Sequence, residues 1–80
     1  MNLRVSNLMS HTTAAVLQKI FSAYGRVISC KVVFNNVTGH SCGYGFVEML
    51  QEAEASRAMQ ELEGMNINGR YIAVSVANRS

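Results

Sequence analysis

Tyr44 and Phe46 lie two positions apart in the run Cys42 to Met49, CGYGFVEM, where glycine and then charge interleave with the rings. The chemistry such a pair offers is stacking of a flat face on another flat aromatic group. Arg4, Lys31 and Arg79 add cations, and a guanidinium can lie against a ring or pair with an anion. Nothing in the chain points to catalysis. There is no nucleophile with a base beside it, no glycine-rich phosphate loop ahead of a helix, and no cluster of acids suited to a metal. Cys30 and Cys42 make no disulfide framework, and with His11 and His40 they lack paired metal-ligand spacing. The residues therefore imply binding rather than an enzyme, with no cofactor and no metal.

The elements that must carry these side chains follow from hydrophobic period. Leu3, Val5 and Asn7 alternate with Arg4 and Ser6, the pattern of a half-buried strand. Thr13 can cap a helix in which Leu17, Ile20, Phe21 and Tyr24 share one face, with Gly25 as its stop. Val27 to Phe34, VISCKVVF, is rich in β-branched residues and predicts a second strand with Ile28, Cys30 and Val32 on one side. After the loop NNVTGHS, the CGYGFVEM run is a third strand. A second helix carries Ala55, Ala58, Met59 and Leu62 on one face, with Gly64 past its end. MNING is a turn-rich connection, and RYIAVSVA predicts a fourth strand with Ile72, Val74 and Val76 inward and Tyr71, Ala73 and Ser75 outward.

The resulting order, β-α-β-β-α-β, is the ferredoxin-like split βαβ arrangement of an α+β domain. Right-handed crossovers leave a slot between strands one and two, and strand three fills it to complete a four-stranded antiparallel sheet. Each helix has a single apolar stripe, so both cover one face and leave the other bare. Strand alternation puts Cys42, Tyr44, Phe46 and Glu48 on the bare face and Gly43, Gly45, Val47 and Met49 on the covered one. The two glycines are expected to let a helix approach the sheet.

The 80 residues, 49% hydrophobic, have room for one domain, residues 1–80. A formal net charge of +2 is mildly basic and compatible with a polyanionic partner without implying one. No apolar run is long enough to span a membrane, and MNLRVSNLMS lacks the features of a signal peptide, so an intracellular protein without a membrane partner is expected. The ends are compatible with a complete small protein or with an excised domain.

Taken together, these residues resemble the RNA recognition motif family over nearly the whole chain. CGYGFVEM is similar to the family's octamer on strand three, basic-Gly-aromatic-Gly/Ala-aromatic-Val-x-aromatic, and LRVSNL, Leu3 to Leu8, is similar to its hexamer on strand one. YGRVISCKVV, NVTG and ELEGMNINGR also resemble the family's phrasing at those places. Three positions depart from it. Arg4 stands where the hexamer usually has an aromatic residue, Cys42 where the octamer begins with a lysine or arginine, and Met49 where it ends in an aromatic.

The resemblance implies a module that binds single-stranded RNA, and by extension single-stranded DNA, across its sheet face. Bases would stack on Tyr44 and Phe46. Arg4 would stack on a base or hold a phosphate, with an ion pair to Glu48 as the competing arrangement. Lys31 and Arg79 are candidate phosphate contacts, and Ser75 and Asn78 candidate readers of base edges. Asn7 is expected to hydrogen-bond local backbone, and Cys42 to be the accessible thiol. Two stacked bases and few cations imply weak to moderate affinity and broad specificity. The alternative is a protein-interaction module of the same fold with reduced or no RNA binding, using the sheet face or the helices, as the changes at Arg4 and Cys42 suggest. A bacterial stand-alone protein would be cytoplasmic, and any other source would make it nuclear or cytoplasmic.

Overall fold

The computed structural model describes residues 1–77: β1 (Asn2–Ser6), α1 (Ala14–Ser22), β2 (Val27–Phe34), β3 (Ser41–Met49), α2 (Glu52–Leu62), a small hairpin of β4 (Asn66–Ile67) and β5 (Arg70–Tyr71), and β6 (Ala73–Val76). Local chemistry explains where the helices begin and end. Thr13 is extended, with φ −103°, and its hydroxyl accepts the Val16 amide at 3.4 Å, capping α1. No side chain caps α2, but Glu52 and Glu54 in its first turn face the positive end of the helix dipole. Gly64, at φ +80°, turns the chain after α2, a conformation that suits glycine. On the outer face of α2 Arg57 pairs with Glu61 at 2.7 Å, which holds the Glu61 carboxyl below the ordinary carboxylate range. Both side chains are solvent-exposed, so the pair contributes little to stability.

The main sheet runs β2-β3-β1-β6, every pairing antiparallel, with β3 in the slot between β1 and β2. Leu3, Val5, Val47, Met49, Ile72 and Val74 point to one side and are fully buried or nearly so against Leu17, Phe21, Ala55, Ala58 and Leu62 of the helices. Ala55 and Ala58 have no exposed surface, because their small side chains let α2 lie close on the strands. No helix among the described residues is long and apolar enough to cross a membrane.

The fold departs from the sequence pattern at four places. Ile28 does not share a face with Cys30 and Val32. The pairing moves from Val27↔Met49 to Ser29↔Glu48, so one extra β2 residue bulges and Ile28 turns outward, 52% exposed. Val76, expected inside, lies at the open end of the edge strand and is 46% exposed. The stretch from Arg70 is not one strand, since Arg70–Tyr71 pairs back on Asn66–Ile67 before the chain enters β6. Asn68 and Gly69, both at positive φ, make the two-residue turn, the dipeptide that a tight hairpin favours.

The fourth departure concerns the glycines of β3, which serve the strands rather than a helix. A Cβ at Gly45 would collide with the Lys31 carbonyl oxygen and come within 3.2 Å of Val32 Cα in the neighbouring strand. Gly43 has φ +83° where the register slips from Val32↔Gly45 to Phe34↔Ser41, and its carbonyl accepts the Leu8 amide at 2.8 Å. Gly45→Ala is therefore expected to destabilise the domain by about 1–3 kcal/mol through overpacking, and Gly43→Ala by about 1–2 kcal/mol through left-handed strain. Urea midpoints check both, and an unchanged Gly45→Ala midpoint would show that the β2 backbone can give way.

Candidate nucleic-acid interface

The face of the sheet opposite the helices is an ordered lattice of side chains, because alternation along each strand and register between strands act together. One row crosses all four strands: Ser75 of β6 pairs with Arg4 of β1, Arg4 with Phe46 of β3, and Phe46 with Lys31 of β2. Two residues along the strands, a second row places Ala73 beside Ser6 and Ser6 beside Tyr44. In the opposite direction a third row sets Asn2 against Glu48 and Glu48 against Ser29, with the Ala77 amide donating to the Asn2 carbonyl at 2.9 Å.

Tyr44 and Phe46 are half-buried neighbours with ring centroids 5.9 Å apart and planes at 88°, an edge-to-face pair. Each ring has a cation over it. The Arg4 guanidinium carbon is 4.8 Å from the Tyr44 centroid, and Lys31 Nζ is 5.7 Å from the Phe46 centroid. Arg4 thus leans along the strand toward Tyr44 and away from Glu48, whose Oε1 accepts instead from Ser29 Oγ at 3.4 Å. The quadrupole of the ring attracts the guanidinium there without requiring a second charge.

The five sequence-predicted residues Tyr44, Phe46, Arg4, Lys31 and Ser75 therefore share one continuous surface. Asn78 and Arg79 lie outside the described residues. Asn7 bonds backbone, but not local backbone: at φ +62° its Nδ2 donates to the Tyr71 carbonyl at 2.9 Å, while Arg70 donates to its Oδ1 at 3.2 Å. Asn7 so ties the β5 end of the hairpin to the end of β1, and Tyr71, 68% exposed, stands beside the sheet face. Sequence reasoning missed the third row. Strand alternation from Phe46 to Glu48 was visible, but the pairing of Glu48 with Asn2 and Ser29 is set by the register between strands, which a single strand's pattern does not carry.

The family model for the RNA recognition motif matches residues 3–73. The chain belongs to the RNA recognition motif family. It is 44% identical over 73 residues to the 31 kDa chloroplastic ribonucleoprotein of Nicotiana sylvestris, a match covering 91% of this chain and 23% of that protein. The chain spans roughly a quarter to a third of the length of the curated relatives it matches. Among solved structures, the RNA-binding protein PG1 superposes with a TM-score of 0.95 at 38% identity, covering 100% of this chain and 96% of that one. A Sex-lethal protein–RNA complex superposes at 0.92 with 32% identity, covering 99% of this chain and 47% of that one.

Two of the departures from the motif now have a structural setting. Arg4 replaces the usual hexamer ring with a planar cation in the same row as Phe46. Cys42 at the start of the octamer is exposed, whereas Cys30 is half-buried and its thiol reaches the Ala14 carbonyl at 3.4 Å. Burial pushes the Cys30 thiol above its ordinary value of 9.0, so its reactive thiolate is disfavoured. With a thiol reagent at mildly alkaline pH, Cys42 is expected to react rapidly and Cys30 slowly in the native domain. Mass mapping of the labelled peptides checks the order. Because the folded thiol holds its proton more tightly than the unfolded one, the stability due to Cys30 is fully present below about 9.0 and falls as the pH rises further.

Proposed function

We propose that this RNA recognition motif binds single-stranded RNA across its open sheet face, with bases stacked on Tyr44 and Phe46. The observation that carries the reading is the edge-to-face ring pair on the sheet surface that no helix covers. Stacking must compete with the cations already over the rings, and magnitudes decide the contest. An exposed cation–π contact is worth about 0.5–1 kcal/mol, whereas a stacked base is worth about 1–3 kcal/mol. A base therefore displaces Arg4 and Lys31 from the ring faces and leaves both cations at its edges, where phosphate oxygens lie. Ser75, in the Phe46 row, adds a hydroxyl that donates or accepts.

Relatives named as ribonucleoproteins and a neighbour solved as a protein–RNA complex support this reading. The same relatives, named as chloroplastic, also support an intracellular setting. Stacking tolerates any base, so apart from edge contacts specificity is broad, and affinity is weak to moderate because few cations face the strand. A binding module fits the face better than an enzyme, since the rings and cations supply recognition.

The test is an NMR titration of the labelled domain with pools of short single-stranded RNA, repeated on Tyr44→Ala/Phe46→Ala. Shifts should concentrate at Arg4, Lys31, Tyr44, Phe46 and Ser75, and the double variant should keep a dispersed spectrum while losing binding. A parent domain that shows no shifts at low salt would sink the reading and favour a protein partner. If Arg4, Lys31 and Arg79 neutralise three phosphates, the logarithm of affinity should fall with the logarithm of salt at a slope of about −2. A slope steeper than about −4 would mean that other cations carry the binding.

A further inference from the structure

Beside Phe46 the sheet face dips into a groove of about 410 Å³ lined by Asn2, Ser29, Lys31, Phe46, Glu48 and Ala77. Its size falls in the range of about 300–1,000 Å³ typical of small-ligand clefts. The third row of the lattice forms one wall, and Phe46, the stacking ring of the first row, forms the floor. Glu48 is an odd residue to find there if the face served only to hold a polyanion, because its carboxylate repels phosphate. Among the described residues its one hydrogen bond is the long contact from Ser29, so its acceptor capacity is largely unused.

We propose that this groove selects guanine. The inference rests on the RNA-binding reading above and deepens it by assigning a base to the Phe46 position. An unpaired base stacked on Phe46 turns its Watson–Crick edge toward the groove wall. A carboxylate only accepts hydrogen bonds and has two oxygens side by side, so it fits an edge with two adjacent donors. Guanine alone offers that, with N1–H next to its amino group. Uracil sets one N–H between two carbonyl oxygens, which a carboxylate repels. Adenine and cytosine each place a single amino group beside an acceptor nitrogen. The third group on the guanine edge, O6, is an acceptor, and the ammonium of Lys31, which lines the same groove 5.7 Å from the Phe46 centroid, supplies its donor.

The charges therefore do two jobs on one base. Glu48 takes the N1–H and amino protons, and Lys31 meets O6 while offsetting the carboxylate's repulsion of the backbone. The Asn2 amide, paired with Glu48 across the strands, lies on the far side and can donate to the same carboxylate and orient it.

The experiment is fluorescence anisotropy with four uridine-rich oligoribonucleotides that differ only in one central base, G, A, C or U, on the parent domain and on Glu48→Gln. The parent should bind the G oligomer about tenfold more tightly than the others, the discrimination of one good bidentate pair. Glu48→Gln should shrink that advantage to about threefold or less, with binding of the all-uridine oligomer kept or improved by the lost negative charge. Equal affinity for all four, a preference for another base, or a G preference that survives in Glu48→Gln would overturn guanine selection and leave the stacking reading standing. Failure of the parent to bind any oligomer would overturn both.

Discussion

The register of β3 is the constraint on which this surface depends. Side chains of a strand alternate, so a slip of one residue against β1 or β2 would turn Tyr44, Phe46 and Glu48 into the core and Val47 and Met49 into water. Two features hold the register. Val47 and Met49 are completely buried between the strands and helices, so the correct phase keeps their apolar surface from water. Gly45 admits the β2 backbone so closely that no residue with a Cβ could take its place opposite Val32, which a slip of one position would require. A glycine that does no chemistry thus decides which face the rings occupy.

Much of this was legible beforehand, for reasons particular residues show. The helices were readable because Leu17, Phe21, Ala55, Ala58 and Leu62 recur at helical spacing and are fully buried or nearly so. The strand order followed from connection rules, and the ring pair followed from a period of two, which needs no partner to be seen. What escaped was whatever depends on contacts between strands. The bulge that exposes Ile28, the hairpin that interrupts the last strand and the bond from Asn7 to Tyr71, 64 residues away, are all properties of pairing. The Asn68-Gly69 dipeptide in MNING did announce a tight turn, yet its two-residue strands are too short to show alternation. The competing arrangements for Arg4 were decided by direction: its side chain leans toward the Tyr44 ring, four residues before Glu48, which no one-dimensional pattern encodes.

The division between core and surface explains how this chain can depart from its family's motif without losing the fold. Leu3 and Val5 flank Arg4 and carry the burial of β1, while Arg4 itself is exposed. An aromatic residue at that position would add a third ring to the face but nothing to the core. The guanidinium keeps a flat surface there and adds a charge, so the exchange alters what the face attracts and leaves its stability to Val47, Met49 and their neighbours. The same holds for Cys42, which lies on the exposed side of the strand just before the left-handed Gly43.

The modest charge of the chain then fixes what kind of recognition the face can perform. Binding by counterion release needs many cations, and the described sheet rows offer two, Arg4 and Lys31, both engaged with rings in the unbound domain. A long polyanion would gain little from so few contacts at physiological salt. Under the proposed function, the free energy of binding comes instead from flat faces and the hydrogen-bonding edges around them, contacts that depend on the base rather than the phosphate. A carboxylate beside the rings would be a liability on a surface that bound by charge. On one that binds by shape and edge it is an acceptor set at a fixed distance by strand register, and its repulsion of the wrong edge discriminates as much as its attraction for the right one.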